Sequence, residues 1–313
     1  MKWKFKSLIQ NAISLFPEKL SYSLYYTMQR NFGALRKGRY SPVSRLVAAV
    51  DIWTHIISNG YSGKNKVFFE VGTGRAPITA FANYLMGAKE TITVDLNPYI
   101  KEELCLEVLD YVSKNKDEIQ NIFGEYLIQK NLDEIIEYYL NGEFTLEGFL
   151  EISNITYLAP QDAANTALEN KSIDYFISYT VFEHIPENVL KAIVLEGNRL
   201  LSSNGLQLHK IDYSDHFSHT DRTITAINFL KYSDNAWAKY AGNQYMYMNR
   251  LRHDDFRRLF LDSKCKIISE IQEKDKRAKD SLEKNLLTLD EKFENKNIDV
   301  LSTTSAWFVL GQF

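Results

Sequence analysis

The sequence predicts an α/β protein built on a doubly wound sheet of seven strands, with helices ahead of the sheet and a helical insertion between its second and third strands. Three observations predict it. Seven short β-rich runs alternate with helix-compatible stretches. The first run leads into a Gly-x-Gly turn and a helix start, in "VFFEVGTGRAPITA". Between the second and third runs lie roughly 55 residues, where a parallel crossover needs only a dozen or more.

The elements follow in order. Residues 1–60 read as a basic helical segment: "SLIQNAISLF" and "PVSRLVAAVDIWTHIIS" carry apolar residues at helical spacing, and Ser41 and Pro42 suit an N-cap and a first turn. These helices are expected to cover one edge of the sheet. Residues 61–313 form the sheet domain, with strands at "KVFFEV", "TITVDL", "ITYLA", "IDYFISY", "LQLHKID", "KIISEI" and "TSAWFVL". The insertion, about 101–152, has three helix-periodic stretches, "ELCLEVLDYVSKN", "LIQKNLDEIIEYYL" and "TLEGFLEI". It is expected to lean over the ligand edge of the sheet, as a lid or as packing. A charged stretch from Gln272 to Asn297 predicts a surface helix or ordered loop between the last two strands.

Composition excludes several classes. With 45% hydrophobic and 25% charged residues the chain is neither disordered nor fibrous. Cys105 and Cys265 stand far apart, so neither a disulfide framework nor a zinc site is indicated, and a reducing cytoplasm fits. No apolar run approaches the roughly 18 residues of a membrane span, and Gln10 and Asn11 interrupt the amino-terminal segment where a signal peptide would be apolar. Charge is uneven: residues 1–46 hold nine basic side chains against Glu18 alone, a formal +8 in a chain of −3. That end suits anionic lipid or an anionic substrate, or is a solvated basic face. Basic residues form no stripe around the predicted pocket, which argues against nucleic acid.

The glycine turn raises the question of its ligand. A dinucleotide fingerprint wants a third glycine where Pro77 stands. Glu70, two residues before Gly72, would repel a pyrophosphate by several kcal/mol at about 4 Å and an intermediate dielectric. A ligand with cationic ammonium and sulfonium groups would be attracted instead. Arg75 either meets that ligand's carboxylate or faces solvent. Asp95, 21 residues past Gly74, suits the ribose hydroxyls of either class. Asp162 follows the third strand, where it suits an adenine amino group.

Together "EVGTGRA", "VDL", "QDA", "SIDYFISYTVFEHIP" and "RLLSSNGLQLHKID" resemble, in order, the stations of the class I S-adenosylmethionine-dependent methyltransferases, which have a Rossmann-like sheet. The resemblance covers roughly Val67 to Ile271 and the last strand. It departs at Ala76, where a glycine is common, and in the long insertion. It implies S-adenosylmethionine as cofactor, held by Glu70, Gly72, Thr73 and Gly74 on the first loop. Asp95 and Leu96 would follow the second strand, Asp162 and Ala163 the third, and Ser178 and Tyr179 the fourth. "HKIDYSDHF…NFLKYS…NRLR" is also similar to methyltransferases encoded beside bacterial surface-polysaccharide genes.

Ligands of such sheets bind beyond the carboxyl ends of strands, so the acceptor is expected past strands four and five. A hydroxyl acceptor needs a base, for which His184 and His216 are the candidates, with Glu183 or Asp215 to orient the ring. "TVFEH" partly resembles the Glu-x-x-Glu-His metal run of some ubiquinone-pathway and small-RNA methyltransferases. Thr180 stands at its first glutamate, so a divalent metal on Glu183, His184 and His216 or Asp212 is possible but not favoured. Trp237, Tyr240, Tyr245 and Tyr247, with Arg250 and Arg252, suit either a sugar and its phosphate or core packing. The expected function is O-methylation of a sugar hydroxyl in a glycan or glycolipid precursor. The alternatives are a small-molecule O- or N-methyltransferase and a non-catalytic scaffold docked to anionic membrane through residues 1–46. The methyl acceptor's identity and the oligomeric state are left open.

Overall fold

The computed structural model describes residues 1–312. Three helices lead: α1 (Trp3–Ser14), α2 (Glu18–Phe32) and α3 (Val43–Ser58). The sheet domain then runs β1 (Val67–Val71), α4 (Ile78–Leu85), β2 (Glu90–Val94), α5 (Glu102–Lys114), α6 (Lys116–Phe123), α7 (Gln129–Leu140), α8 (Leu146–Ile152) and β3 (Ile155–Leu158). It continues with β4 (Ile173–Tyr179), α9 (Glu187–Leu200), β5 (Leu201–Asp212), α10 (Asp234–Ala241), α11 (His253–Asp262) and β6 (Cys265–Lys274). Helices α12 (Lys276–Glu283), α13 (Glu291–Glu294) and α14 (Ile298–Ser302) precede β7 (Thr303–Gln312). All seven predicted strands are present.

The strands lie in the order β3-β2-β1-β4-β5-β7-β6, and β7 alone runs antiparallel to its neighbours. The winding reverses between β1 and β4, and this switch point places a ligand-binding crevice at the carboxyl ends of those strands. Side chains alternate along each strand. Phe68, Tyr175, Ile177, Leu208 and Trp307 therefore face one core layer, whereas Phe69, Phe176, Phe308 and Leu310 face the other.

The first layer is covered by α3 and α4 together with the insertion helices. Trp53 of α3 stacks on Phe68 with ring centres 5.8 Å apart and donates its indole N–H to Asn83 of α4 at 2.9 Å. Two expectations change here. Helix α3 covers a face of the sheet, not its edge, because its stripe Leu46, Ile52, Trp53 and Ile56 is apolar enough to be buried completely. The insertion does not lean over the ligand edge either: Leu104, Val108, Leu132, Ile135 and Phe149 join the same buried cluster as Phe68 and Phe81. Its role is packing.

The second layer is covered by α9 and α11 through Leu190, Val194, Phe256 and Phe260. A third cluster gathers Trp3, Phe217, Phe229, Trp237, Leu282 and Phe293, tying α1 to α10 and to the segment before β7. The element above the glycine turn is α2. Its Tyr22 meets Tyr99 edge-on at 5.4 Å, and its Tyr25 stacks on Tyr245 at 3.9 Å.

Candidate functional site

The turn after β1 is built by its glycines. Gly72 and Gly74 have φ of +91° and +70°, conformations that side-chain-bearing residues avoid. A Cβ on Gly72 would also stand 2.6 Å from Val181 Cγ2. The amides of Gly72 and Thr73 donate to the Val94 carbonyl, and Gly74 N–H donates to Asp95 Oδ2 at 3.1 Å. Asp95 is therefore fixed beside the turn at the end of β2, while Leu96 next to it is exposed.

Glu70 is not an open charge at the mouth. It is buried beneath the turn, opposite Thr93 in the β1–β2 register. The Thr93 hydroxyl donates to its Oε2 at 2.9 Å and in turn accepts from Thr73. Burial raises Glu70 to about 7, against the opposing pull of Thr93, Thr79 and the more distant Arg45. The repulsion expected of a fixed carboxylate gives way to a titratable acid with no cation in contact. Thr73 consequently turns inward and offers the crevice only its backbone.

The remaining expected cofactor residues divide. Asp162 is exposed, and its Oδ1 accepts from Ala164 N–H at 2.8 Å, an Asx turn that leaves the other oxygen free. Ala163 packs in the second core layer. Ser178 is buried, with its hydroxyl 2.9 Å from His209 Nδ1, so its side chain does not face the crevice. Tyr179 is half-buried, with the Arg45 guanidinium 4.9 Å above its ring and donating to its carbonyl. Arg75 takes neither expected course: its guanidinium lies over Tyr26 and Tyr99, at 4.7 and 5.6 Å, under α2.

The acceptor side begins at Thr180, a β-branched residue at φ +53°, where strain of about 1–3 kcal/mol marks a constrained position. A 3-10 turn, Phe182–His184, follows, and Asn249 braces it by donating its amide protons to the carbonyls of Phe182 and Ile185. This turn and the loop after β5 bring Glu183, His184 and His216 together, with their ligand atoms all within 4.8 Å of one another. Glu183 is buried and neither of its carboxylate oxygens has a partner, and burial drives its pKa well above the ordinary range. His184 Nδ1 donates to the Tyr247 carbonyl at 2.8 Å, which leaves the lone pair on Nε2. Desolvation, with His216 adjacent, lowers His184 to about 4.

The acid beside His216 is Asp212, not Asp215. His216 Nε2 lies 3.3 Å from Asp212 Oδ2, an ion-pair distance at which the ring N–H is not aligned for a hydrogen bond. Burial alone would raise Asp212, but the adjacent His216 and the Ser214 N–H that donates to it outweigh this and hold the acid at about 2. Asp215 points away into the interior, where it accepts from Asn228 and from Phe217 N–H, and desolvation raises it to about 6. Beside the dyad, a cleft of about 510 Å³ is lined by Tyr179, Thr180, Lys210, Asp212, His219 and Arg222, with Glu273 across it.

The aromatic stretch does not line this cleft. Trp237 is buried in the third cluster, Tyr240 packs on Trp3 at 4.9 Å, and Tyr245 belongs to the roof formed with α2. Tyr247 is partly exposed, and its carbonyl holds His184. Arg250 is buried against Asp234, and Arg252 is fully buried and donates to the carbonyls of Tyr213, Leu301 and Thr303. Trp237, Tyr247 and Arg250 border a separate cleft of about 530 Å³ together with Glu187 and Asp234, and packing accounts for the others. Sequence reasoning missed Asn249, Arg45 and the α2 tyrosines as parts of the site, and placed Asp212 only as a possible metal ligand. Its four-residue spacing to His216 was the available signal.

No protein-family profile matches this chain, and no curated protein does. Among solved structures it is similar to the PH0226 protein of Pyrococcus horikoshii OT3, at 12% identity over 93% of this chain and 99% of that one, with a TM-score of 0.47. A putative sarcosine dimethylglycine methyltransferase from Galdieria sulphuraria gives 13%, 92%, 97% and 0.47 on the same measures. Magnesium protoporphyrin IX methyltransferase from Synechocystis PCC 6803, with bound SAH, gives 11%, 98%, 99% and 0.45. Likenesses this distant carry no residue role and no activity over to this chain.

Proposed function

We propose that this chain is an S-adenosylmethionine-dependent methyltransferase acting on a hydroxyl, with a sugar of a glycan or glycolipid precursor as acceptor. The observation that supports it most is the buried Glu70 under the Gly72–Gly74 turn, near pKa 7 and without a cation in contact, which a cationic cofactor would complete. Asp95 beside the turn would accept the ribose hydroxyls. In the transfer the acceptor oxygen attacks the sulfonium methyl in line, the methyl–sulfur bond breaks, and S-adenosylhomocysteine leaves as a neutral thioether. The hydroxyl proton passes to His216, whose positive charge the Asp212 carboxylate beside it would then offset. Val181, against Gly72 and two residues before Glu183, sets the cofactor turn next to this cluster. Charges of both signs in the adjoining cleft suit a polar, hydroxyl-rich acceptor.

A second reading adds a divalent cation on Glu183, His184 and His216. It is favoured by the two unpartnered oxygens of buried Glu183, and one carboxylate with two imidazoles is a donor set that zinc, manganese or iron accepts. Such a cation would supply Lewis-acid activation of the acceptor hydroxyl.

The test is calorimetric titration with S-adenosylmethionine and, separately, NAD, followed by transfer of labelled methyl into a cell-envelope glycan extract with and without chelator. Cofactor binding with label in glycan supports the proposal. Label in small molecules alone moves the acceptor to that class, and NAD binding without S-adenosylmethionine binding removes the reading.

A further inference from the structure

Beyond the buried Trp3, helices α1 and α2 turn serine and glutamine inward and large apolar side chains outward. At 3.6 residues per turn, positions 3, 7, 10 and 14 of α1 share one face, and 5, 8, 12 and 15 share the opposite one. The first face is turned inward and consists of Trp3, Ser7, Gln10 and Ser14. The second is turned outward and consists of Phe5, Leu8, Ala12 and, just past the helix end, Leu15, with Phe5 56%, Leu8 64% and Leu15 87% exposed. Helix α2 repeats the inversion, burying Ser21 and exposing Leu20 and Leu24. Most inward polar groups are engaged: Ser7 donates to the Tyr240 carbonyl, Ser21 to the Ile13 carbonyl, and the Gln10 amide to Tyr25, though Gln10 Oε1 is buried without a partner. The pair is therefore seated through Trp3 and these polar groups, and a stripe of large apolar side chains is left outward.

We infer that the outer face of α1 and α2 docks on an anionic membrane surface, with Phe5, Leu8, Leu15, Leu20 and Leu24 entering the headgroup–acyl boundary. The charge around the stripe selects this occupant. Lys2, Lys4, Lys19, Arg36, Lys37 and Arg39 are all exposed, in a segment of formal +8. Apolar side chains flanked by exposed cations are the composition of a helix that lies in the interface plane and is attracted to anionic lipid. A second copy of the chain fits poorly, because an isologous contact would set the same +8 segment against itself. No helix among the described residues is long and apolar enough to cross a bilayer, so the contact is peripheral. The inference stands apart from methyl transfer: it holds or fails whether or not the crevice binds S-adenosylmethionine.

The experiment is co-sedimentation of the full chain with vesicles of phosphatidylcholine alone or with 30% phosphatidylserine, at low and high salt. We expect binding to the anionic vesicles that weakens with salt. It should fall at least tenfold in Phe5→Ser/Leu8→Ser/Leu15→Ser and also in Lys19→Glu/Lys37→Glu. All five side chains are exposed, so both variants should retain the parent melting temperature, and a variant that does not is replaced by Leu20→Ser/Leu24→Ser. Failure to bind anionic vesicles, or binding unaffected by the serine substitutions, overturns the inference. So does a dimer in solution that these same substitutions dissolve, which would give the face to a second copy.

Discussion

Replacing Glu70 with glutamine should make the cofactor-free protein more stable at alkaline pH and, in the same stroke, cost it its cofactor. The acid is buried and raised from its ordinary 4.5 to about 7. A raised carboxyl leaves stability untouched well below pH 4.5; the penalty grows from there to pH 7 and is complete above it. At about 1.4 kcal/mol per pH unit of that interval, the wild type should lose about 2–3 kcal/mol, relative to Glu70→Gln, between pH 5 and pH 8. Urea unfolding of both proteins at the two pH values measures it. The cofactor titration has the opposite sign. A cationic ligand binds the ionised acid, so wild-type affinity should rise with pH and level off above about 7, while Glu70→Gln should bind weakly at every pH. A stability difference that stays constant from pH 5 to 8 would show that Glu70 does not titrate as argued, and full cofactor affinity in the variant would remove it from the site.

Other outcomes follow from the same geometry. Asp212→Asn and His216→Ala should each lower transfer by about 10²–10⁴-fold with cofactor affinity unchanged, whereas Asp215→Asn should leave transfer near the parent rate, a contrast read in single-turnover assays. Asp95→Ala should weaken cofactor binding about tenfold or more, because it removes the acceptor beside the turn and frees the Gly74 amide, and calorimetry measures the loss. Gly72→Ala should destabilise by about 1–3 kcal/mol, and Val181→Ala in the same chain should recover only part of this, since it relieves the contact at 2.6 Å but not the positive φ. If the Glu183 cluster binds a cation, manganese or zinc should raise the melting temperature of the parent and not that of Glu183→Gln, whatever the activity.

The strands were legible because their signal is local. Runs such as "VFFEV" and "IDYFISY" are rich in β-branched and aromatic residues and bounded by turn formers, so neighbours in sequence suffice to identify them. Helix α2 was harder to see, since its apolar residues lie on the outward face and its inward face carries Ser21 and tyrosines. The glycine turn and Asp95 were legible for the same local reason as the strands. The setting of Glu70 was not: it depends on which residue of β2 stands opposite, and that proves to be Thr93. Asp215 was expected to orient the ring and Asp212 only to offer a metal ligand, but Asp212 ends a strand beside His216 while Asp215 turns back to Asn228, a difference fixed by tertiary packing.

Val181 fills the space that a side chain on Gly72 would need, so two loops that have separate tasks share one packing site. That isopropyl group stands at the head of the short turn that carries Glu183 and His184, so pressure on it would reach both. Filling the crevice would thus move the acid and the ring on the far side, so the two halves of the site would report on each other like plates of a clutch.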